Sequence, residues 1–123
     1  MRALIVDDSR AMRRIEADLM KQLGFETADA VHGKDALEKL IAGPRPDVVL
    51  VDWNMPEMNG LELIRSLRAR PEFANLPLMM VTTETEMEQM VTALEAGANE
   101  YVMKPFGKET LAEKLQLLGF GAA

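Results

Sequence analysis

Five polar residues stand at the ends of four short apolar stretches. Asp7 and Asp8 follow Arg2–Val6, Asp52 follows Asp47–Val51, Thr82 closes Leu78–Thr82, and Lys104 follows Glu100–Met103. Each type has an ordinary structural role. An Asp pair stabilises a helix N-terminus, a Thr ends a strand, and a Lys before Pro sits in a turn. Brought together, they form a different kind of object. Three carboxylates in one pocket repel one another, and their pKa values rise unless a cation lies among them. Lys104 supplies one positive charge. A hard divalent cation that takes oxygen ligands and keeps some of its waters, Mg²⁺ above all, suits the remainder. Such an ion can bridge carboxylates and a phosphate oxygen, and phosphoryl transfer depends mainly on positioning and charge neutralisation. An ammonium and a hydroxyl suit the other phosphate oxygens. An Asp carboxylate can itself be the nucleophile, giving an acyl phosphate.

For these residues to meet, the four stretches must be strands whose carboxyl ends share one rim, where open parallel sheets bind ligands. The pattern along the chain supplies that arrangement. Strands are expected at Arg2–Val6, Phe25–Asp29, Asp47–Val51, Leu78–Thr82 and Glu100–Met103. Asp47–Val51 is continuously apolar and β-branched, as in a central strand covered on both faces. Between the strands, apolar residues recur at helical spacing. Met12, Ile15, Leu19 and Leu23 form one such face, and Ala36, Leu37, Leu40 and Ile41 a second. Leu61, Ile64 and Leu67 form a third, Met87, Met90, Val91 and Leu94 a fourth, and Leu111, Leu115 and Leu118 a fifth. Ser9 is placed to cap the first helix, and Gly24, Gly43-Pro44, Pro71 and Gly97 punctuate the helix ends. Strand–helix alternation predicts an α/β fold, a doubly wound five-stranded parallel sheet with five helices and right-handed crossovers. The 123 residues are read as one domain, 1–123, with no output domain after the last helix.

Composition removes several function classes. With no cysteine there are no disulfides, thiol nucleophiles or Cys-based zinc sites. No apolar run has the length of a membrane span and no export signal opens the chain, so a cytoplasmic address is expected. A formal net charge of −6 argues against nucleic acid as a partner. The single basic cluster, Arg10, Arg13 and Arg14, reads as a solvated helix face or a protein-docking patch. Of the ten methionines, Met12, Met87 and Met90 fall on inward helical faces and Met79-Met80 in a buried strand, which favours core packing. Trp53 is expected to be a half-buried aromatic shielding its loop. His32, the one histidine, is expected to be surface structure.

The residues Val6-Asp7-Asp8-Ser9, Val51-Asp52-Trp53-Asn54-Met55-Pro56 with Asn59-Gly60, Val81-Thr82-Thr83 and Tyr101-Val102-Met103-Lys104-Pro105-Phe106 resemble the full signature of response-regulator receiver domains. The closest likeness is to the single-domain chemotaxis regulators of that family. The resemblance implies the flavodoxin-like strand order 2-1-3-4-5 and a set of roles. Asp52 matches the phosphoacceptor. Asp8, Asp52 and the Asn54 backbone carbonyl match the Mg²⁺ ligands, with Asp7 acting through water. Thr82 and Lys104 match the pair that binds the phosphoryl group, Tyr101 the aromatic switch, and Asn54 and Glu84 the positions that tune dephosphorylation. The Lys104-Pro105 bond is cis in the family. The implied partners are a histidine kinase as phosphodonor and a downstream protein effector, with a flagellar motor switch protein foremost. The implied function is that of a two-component response regulator, a phosphoacceptor that promotes its own phosphorylation and dephosphorylation rather than an enzyme. The helix 4–strand 5–helix 5 surface would carry the output, and a phosphate-sink or relay role is the alternative. A haloacid-dehalogenase-like phosphatase also uses an aspartyl nucleophile with Mg²⁺. Its acids are spaced Asp-x-Asp after the first strand, whereas Asp7 and Asp8 are adjacent.

Overall fold

The second half of the central sheet explains itself from composition. Val48–Asp52 (β3) and Leu78–Thr82 (β4) are buried along their whole length, and such runs lower their free energy only when helices cover both faces. They lie in a parallel sheet with Arg2–Val6 (β1), Glu26–Ala30 (β2) and Glu100–Met103 (β5), in the order β2-β1-β3-β4-β5. The helices are Arg10–Gln22 (α1), Gly33–Ala42 (α2), Gly60–Arg68 (α3), Met90–Ala96 (α4) and Lys108–Leu117 (α5). The chain is described by a computed structural model over residues 1–83 and 88–121. One face of the sheet carries Leu4, Val6, Val49, Val51, Leu78 and Met80, packed with α2, α3 and α4; the other carries Ala3, Ile5, Leu50, Met79 and Val81, packed with α1 and α5.

Fold class and strand order are as expected, and local chemistry accounts for most helix ends. The Ser9 hydroxyl accepts from the Met12 N–H at 3.2 Å. Asn59 and Glu62 form a reciprocal cap at the start of α3. Gly24 and Gly97 take positive φ where α1 and α4 end. His32 has a defined task as well, because its Nδ1 accepts the Asp35 N–H and caps α2.

The helix faces depart from expectation in a consistent way. On α1 the inward stripe is Glu16 and Met20, while Ile15 is 50% exposed. On α4 the inward residues are Met90 and Ala93, and Val91 and Leu94 are exposed; Met87 lies outside the described residues. Ile41 on α2 is exposed as well. A helix resting on a twisted sheet buries a stripe about two residues wide, so apolar residues at its margin stay in water. Strand limits also shift: β2 and β3 each begin one residue later than expected, which makes Asp52 the last residue of β3 rather than the first of its loop. A short 3₁₀ turn at Pro71–Phe73, absent from the sequence reading, buries Phe73.

Candidate functional site

Register brings the five residues together. Val6 pairs with Val51, Asp52 with Val81, and Thr82 with Met103. The residues at or just past these pairs are Asp7, Asp52, Thr82 and Lys104, so four strands deliver them to one rim. Backbone hydrogen bonds extend the ladder past the strand ends: Trp53 N–H to the Val81 carbonyl at 3.2 Å, and Lys104 N–H to the Thr82 carbonyl at 2.7 Å. The Lys104-Pro105 peptide is cis.

Lys104 reaches back across the rim. Its Nζ donates to Asp52 Oδ1 at 3.0 Å and to Asp7 Oδ2 at 3.3 Å. Asp7 Oδ1 accepts the Ser9 N–H at 2.8 Å. Asp7 and Asp52 are buried while Asp8 is exposed, and carboxylate oxygens of all three lie within 4.8 Å of one another. Burial pushes Asp52 up to about 6, against the lowering effect of Lys104; Asp7 and Asp8 add to the rise. Against its own desolvation, Asp52 and Asp7 in turn raise Lys104 above its ordinary value. Three carboxylates against one ammonium leave an excess of negative charge in an all-oxygen donor set. That set, Asp7, Asp8 and Asp52 together, could hold a hard divalent cation.

Thr82 is fully buried beside this trio, and its Oγ1 donates to the Thr83 carbonyl at 3.3 Å. Asn54 is exposed in the loop after β3 and takes part in polar contacts. Trp53, as expected, is half-buried and packs with Met55 and Met58 against the core. Close backbone approach holds that loop down: a Cβ on Gly60 would come within 2.5 Å of the Asp52 carbonyl oxygen, so only glycine fits. Glu57, at φ 68°, is the non-glycine residue with left-handed backbone there. Tyr101 is not beside the acids. It lies half-buried on β5, with Lys114 Nζ 4.3 Å from its ring centroid and Lys114 paired to Glu100 at 3.2 Å. Glu84 lies outside the described residues.

Two residues near the site escaped the sequence reading. Arg13 is not simply part of a solvated cluster with Arg10 and Arg14. Its guanidinium donates to the Asp7 carbonyl and to Asp29, each at 2.8 Å, tying α1 and β2 to the end of β1. Glu16, on the inward stripe of α1, is 1% exposed, and its Oε2 has no hydrogen-bond partner among the described residues. Burial, reinforced by the neighbouring Asp7, pushes it up to about 8. A signal existed: Glu16 stands four residues from Met12 and Met20 and three from Leu19, an acid inside an otherwise apolar stripe.

Comparison with known proteins bears on the whole chain. The model of the response regulator receiver domain family matches residues 3–116. Chemotaxis protein CheY1 of Helicobacter pylori strain J99 is 46% identical over 119 residues, which cover 96% of each chain. A chemotaxis protein CheY homolog of Campylobacter jejuni is 44% identical over 124 residues, covering 99% of this chain and 95% of the relative. Among solved structures, the chemotaxis response regulator CheY4 of Vibrio cholerae superposes with a TM-score of 0.85 at 36% identity, covering 94% of this chain and 95% of that one.

Proposed function

Since the chain belongs to the response regulator receiver domain family and is homologous to CheY chemotaxis regulators, we propose that it is a single-domain, Mg²⁺-dependent phosphorylation switch with Asp52 as acceptor. The observation that carries this reading is the Asp7–Asp8–Asp52 trio with Lys104 bonded to two of its members.

In this reading Asp52 attacks the phosphorus of a phosphohistidine on a histidine kinase. The P–O bond forms as the P–N bond breaks, and the imidazole leaves. Asp8, Asp52 and the Asn54 backbone carbonyl would hold Mg²⁺, with Asp7 acting through water, and the ion would supply neutralisation of the charge on the phosphoryl oxygens. Lys104 exchanges its carboxylate partners for a phosphoryl oxygen, and the Thr82 hydroxyl turns from the Thr83 carbonyl to another. As Thr82 turns, Tyr101 moves inward, and the α4–β5–α5 face changes its affinity for a protein target. Phosphorylation adds about two negative charges and new acceptor oxygens, and a charge-assisted cluster of that kind can move a two-state equilibrium by a few kcal/mol.

The role is that of a phosphoacceptor promoting its own phosphorylation and hydrolysis, and family membership takes the place of the haloacid-dehalogenase-like alternative. Asn54 and Glu84 stand at the positions that tune dephosphorylation in the family, and a short phosphorylated lifetime is expected. The protein acts in the cytoplasm, as one domain, through protein contacts; among the described residues no helix is long and apolar enough to cross a membrane. The likeness to chemotaxis regulators favours a flagellar motor switch protein as target over a phosphate-sink or relay role, and capture of a target by the activated form separates the two. Incubation with acetyl phosphate and Mg²⁺ tests the acceptor. One phosphoryl group per chain is expected on the wild type and none on Asp52→Asn, with fold unchanged; normal labelling of Asp52→Asn overturns the assignment.

A further inference from the structure

Of the three acids at the rim, two are pinned through their side chains. Asp52 accepts from Lys104, and Asp7 accepts from Lys104 and from the Ser9 N–H. Asp8 is exposed, and its carboxylate has no hydrogen bond or ion pair among the described residues. Where it points is therefore set by the backbone that carries it. That backbone is gripped at two atoms of Asp7. Its N–H donates to the Ala30 carbonyl at 3.2 Å, and its carbonyl accepts from Arg13 Nη1 at 2.8 Å. The Asp7 carbonyl belongs to the planar peptide that joins Asp7 to Asp8, so fixing it fixes the plane from which the Asp8 side chain departs. Arg13 is itself anchored, since its Nε donates to Asp29 Oδ2 at 2.8 Å and only 13% of its side chain is exposed. Arg10 and Arg14, its neighbours on α1, are exposed and form no ion pair among the described residues.

We propose that Arg13 is a positioning residue for the divalent-cation site, holding the Asp7–Asp8 peptide so that the Asp8 carboxylate faces those of Asp7 and Asp52. This rests on the cation reading given above. A guanidinium suits the task because its planar fork donates in two directions at once, here to the Asp7 carbonyl and to Asp29. One side chain thereby joins the end of β1, the start of α1 and the outer strand β2. Groups behind a metal's own ligands orient those ligands, so losing one weakens metal binding without removing any ligand. Charge alone gives the opposite sign. A cation near the rim repels a second cation, so deleting Arg13 would tighten Mg²⁺ binding if its charge were all that counted.

Mg²⁺ titration of the wild type, Arg13→Met, Arg13→Ala and Arg14→Ala, followed by Trp53 fluorescence, tests this, with thermal unfolding in Mg²⁺-free buffer establishing that each is folded. Methionine keeps the stem of Arg13, alanine keeps only the helix, and Arg14→Ala removes an equal charge without removing a hydrogen bond. Both Arg13 variants should bind Mg²⁺ about tenfold more weakly, and Arg14→Ala as tightly as the wild type or more so. The change should lie in half-saturation alone. At saturating Mg²⁺, labelling by acetyl phosphate should return to within about twofold of the wild-type rate, a split that a general loss of packing does not produce. Wild-type or tighter binding in a folded Arg13 variant, equal weakening in Arg14→Ala, or a limiting rate that stays depressed overturns the inference while leaving the cation site standing. A wild type that takes up no Mg²⁺ overturns the cation site and this inference with it.

Discussion

Beneath Asp52 the molecule is sealed: β3 and β4 have no exposed residue, and Asp52 and Asp7, at the ends of β3 and β1, are held by Lys104 and the Ser9 N–H within 3.3 Å. A short distance along the same sheet edge, the face of α4, β5 and α5 is left open. Val91 is 63% exposed, Leu94 and Met103 are exposed too, and Tyr101 is half-buried with Lys114 over its ring. On the proposed function, the contrast separates two demands on one fold. Chemistry at a charged group needs fixed geometry and little water, whereas a surface that changes partners needs apolar area in solvent and side chains able to reorient. Thr82 and β5 join the two regions, because Thr82 pairs with Met103, one residue before Lys104 and two after Tyr101.

If the contrast is real, the same kind of substitution has unequal effects on its two sides. The largest effect on stability is expected in the sealed region: Met80→Ala should cost about 2–5 kcal/mol in chemical denaturation, since it opens a cavity between β4 and the helices. Next in size is the pH dependence of the Mg²⁺-free protein. Asp52 and Glu16 titrate at about 6 and about 8, above their ordinary 3.8 and 4.5. The folded state therefore holds these protons more tightly than the unfolded chain does. Their contribution is complete below the ordinary carboxyl range and is lost as pH rises through the folded-state values. Stability measured in denaturant should fall by a few kcal/mol between about pH 4 and pH 9, and Glu16→Gln should remove the upper part of that fall. Lys104, also raised, keeps its contribution across this range.

A smaller and more selective effect is expected where the regions meet. Lys104→Arg should still accept phosphate on Asp52, yet bind the output target about tenfold more weakly when activated, equivalent to about 1.4 kcal/mol. The arginine carries the charge but presents a planar fork rather than a compact ammonium. Smallest of all, Val91→Ser should change stability by no more than about 0.5 kcal/mol, while target binding by the activated protein weakens. A stability loss at Val91 comparable to that at Met80 would dissolve the contrast.

The two regions were not equally legible in the sequence. The sealed rim could be read because its determinants are local: apolar strands ending in Asp7, Asp52, Thr82 and Lys104 must place those residues together once the strands are parallel. The motifs around them carried the family resemblance as well. What escaped depends on helix rotation. Apolar periodicity locates a helix but gives its inward direction only to within about one residue, or roughly 100° of arc. That uncertainty put Ile15 inside and left Glu16 out of account, and it placed Val91 and Leu94 in the core when they form the open face. Arg13 was missed for a related reason, since its partners Asp29 and the Asp7 carbonyl come from other elements.

The coupling between the regions can be observed in one measurement. Backbone amide NMR spectra of the wild-type protein with Mg²⁺, before and after addition of beryllofluoride as a phosphoryl mimic, report on both at once. Shifts are expected at the rim around Asp52, Thr82 and Lys104 together with shifts across Val91, Leu94, Tyr101 and Met103, all absent in Asp52→Asn. Shifts confined to the rim, or the same shifts in Asp52→Asn, would contradict it.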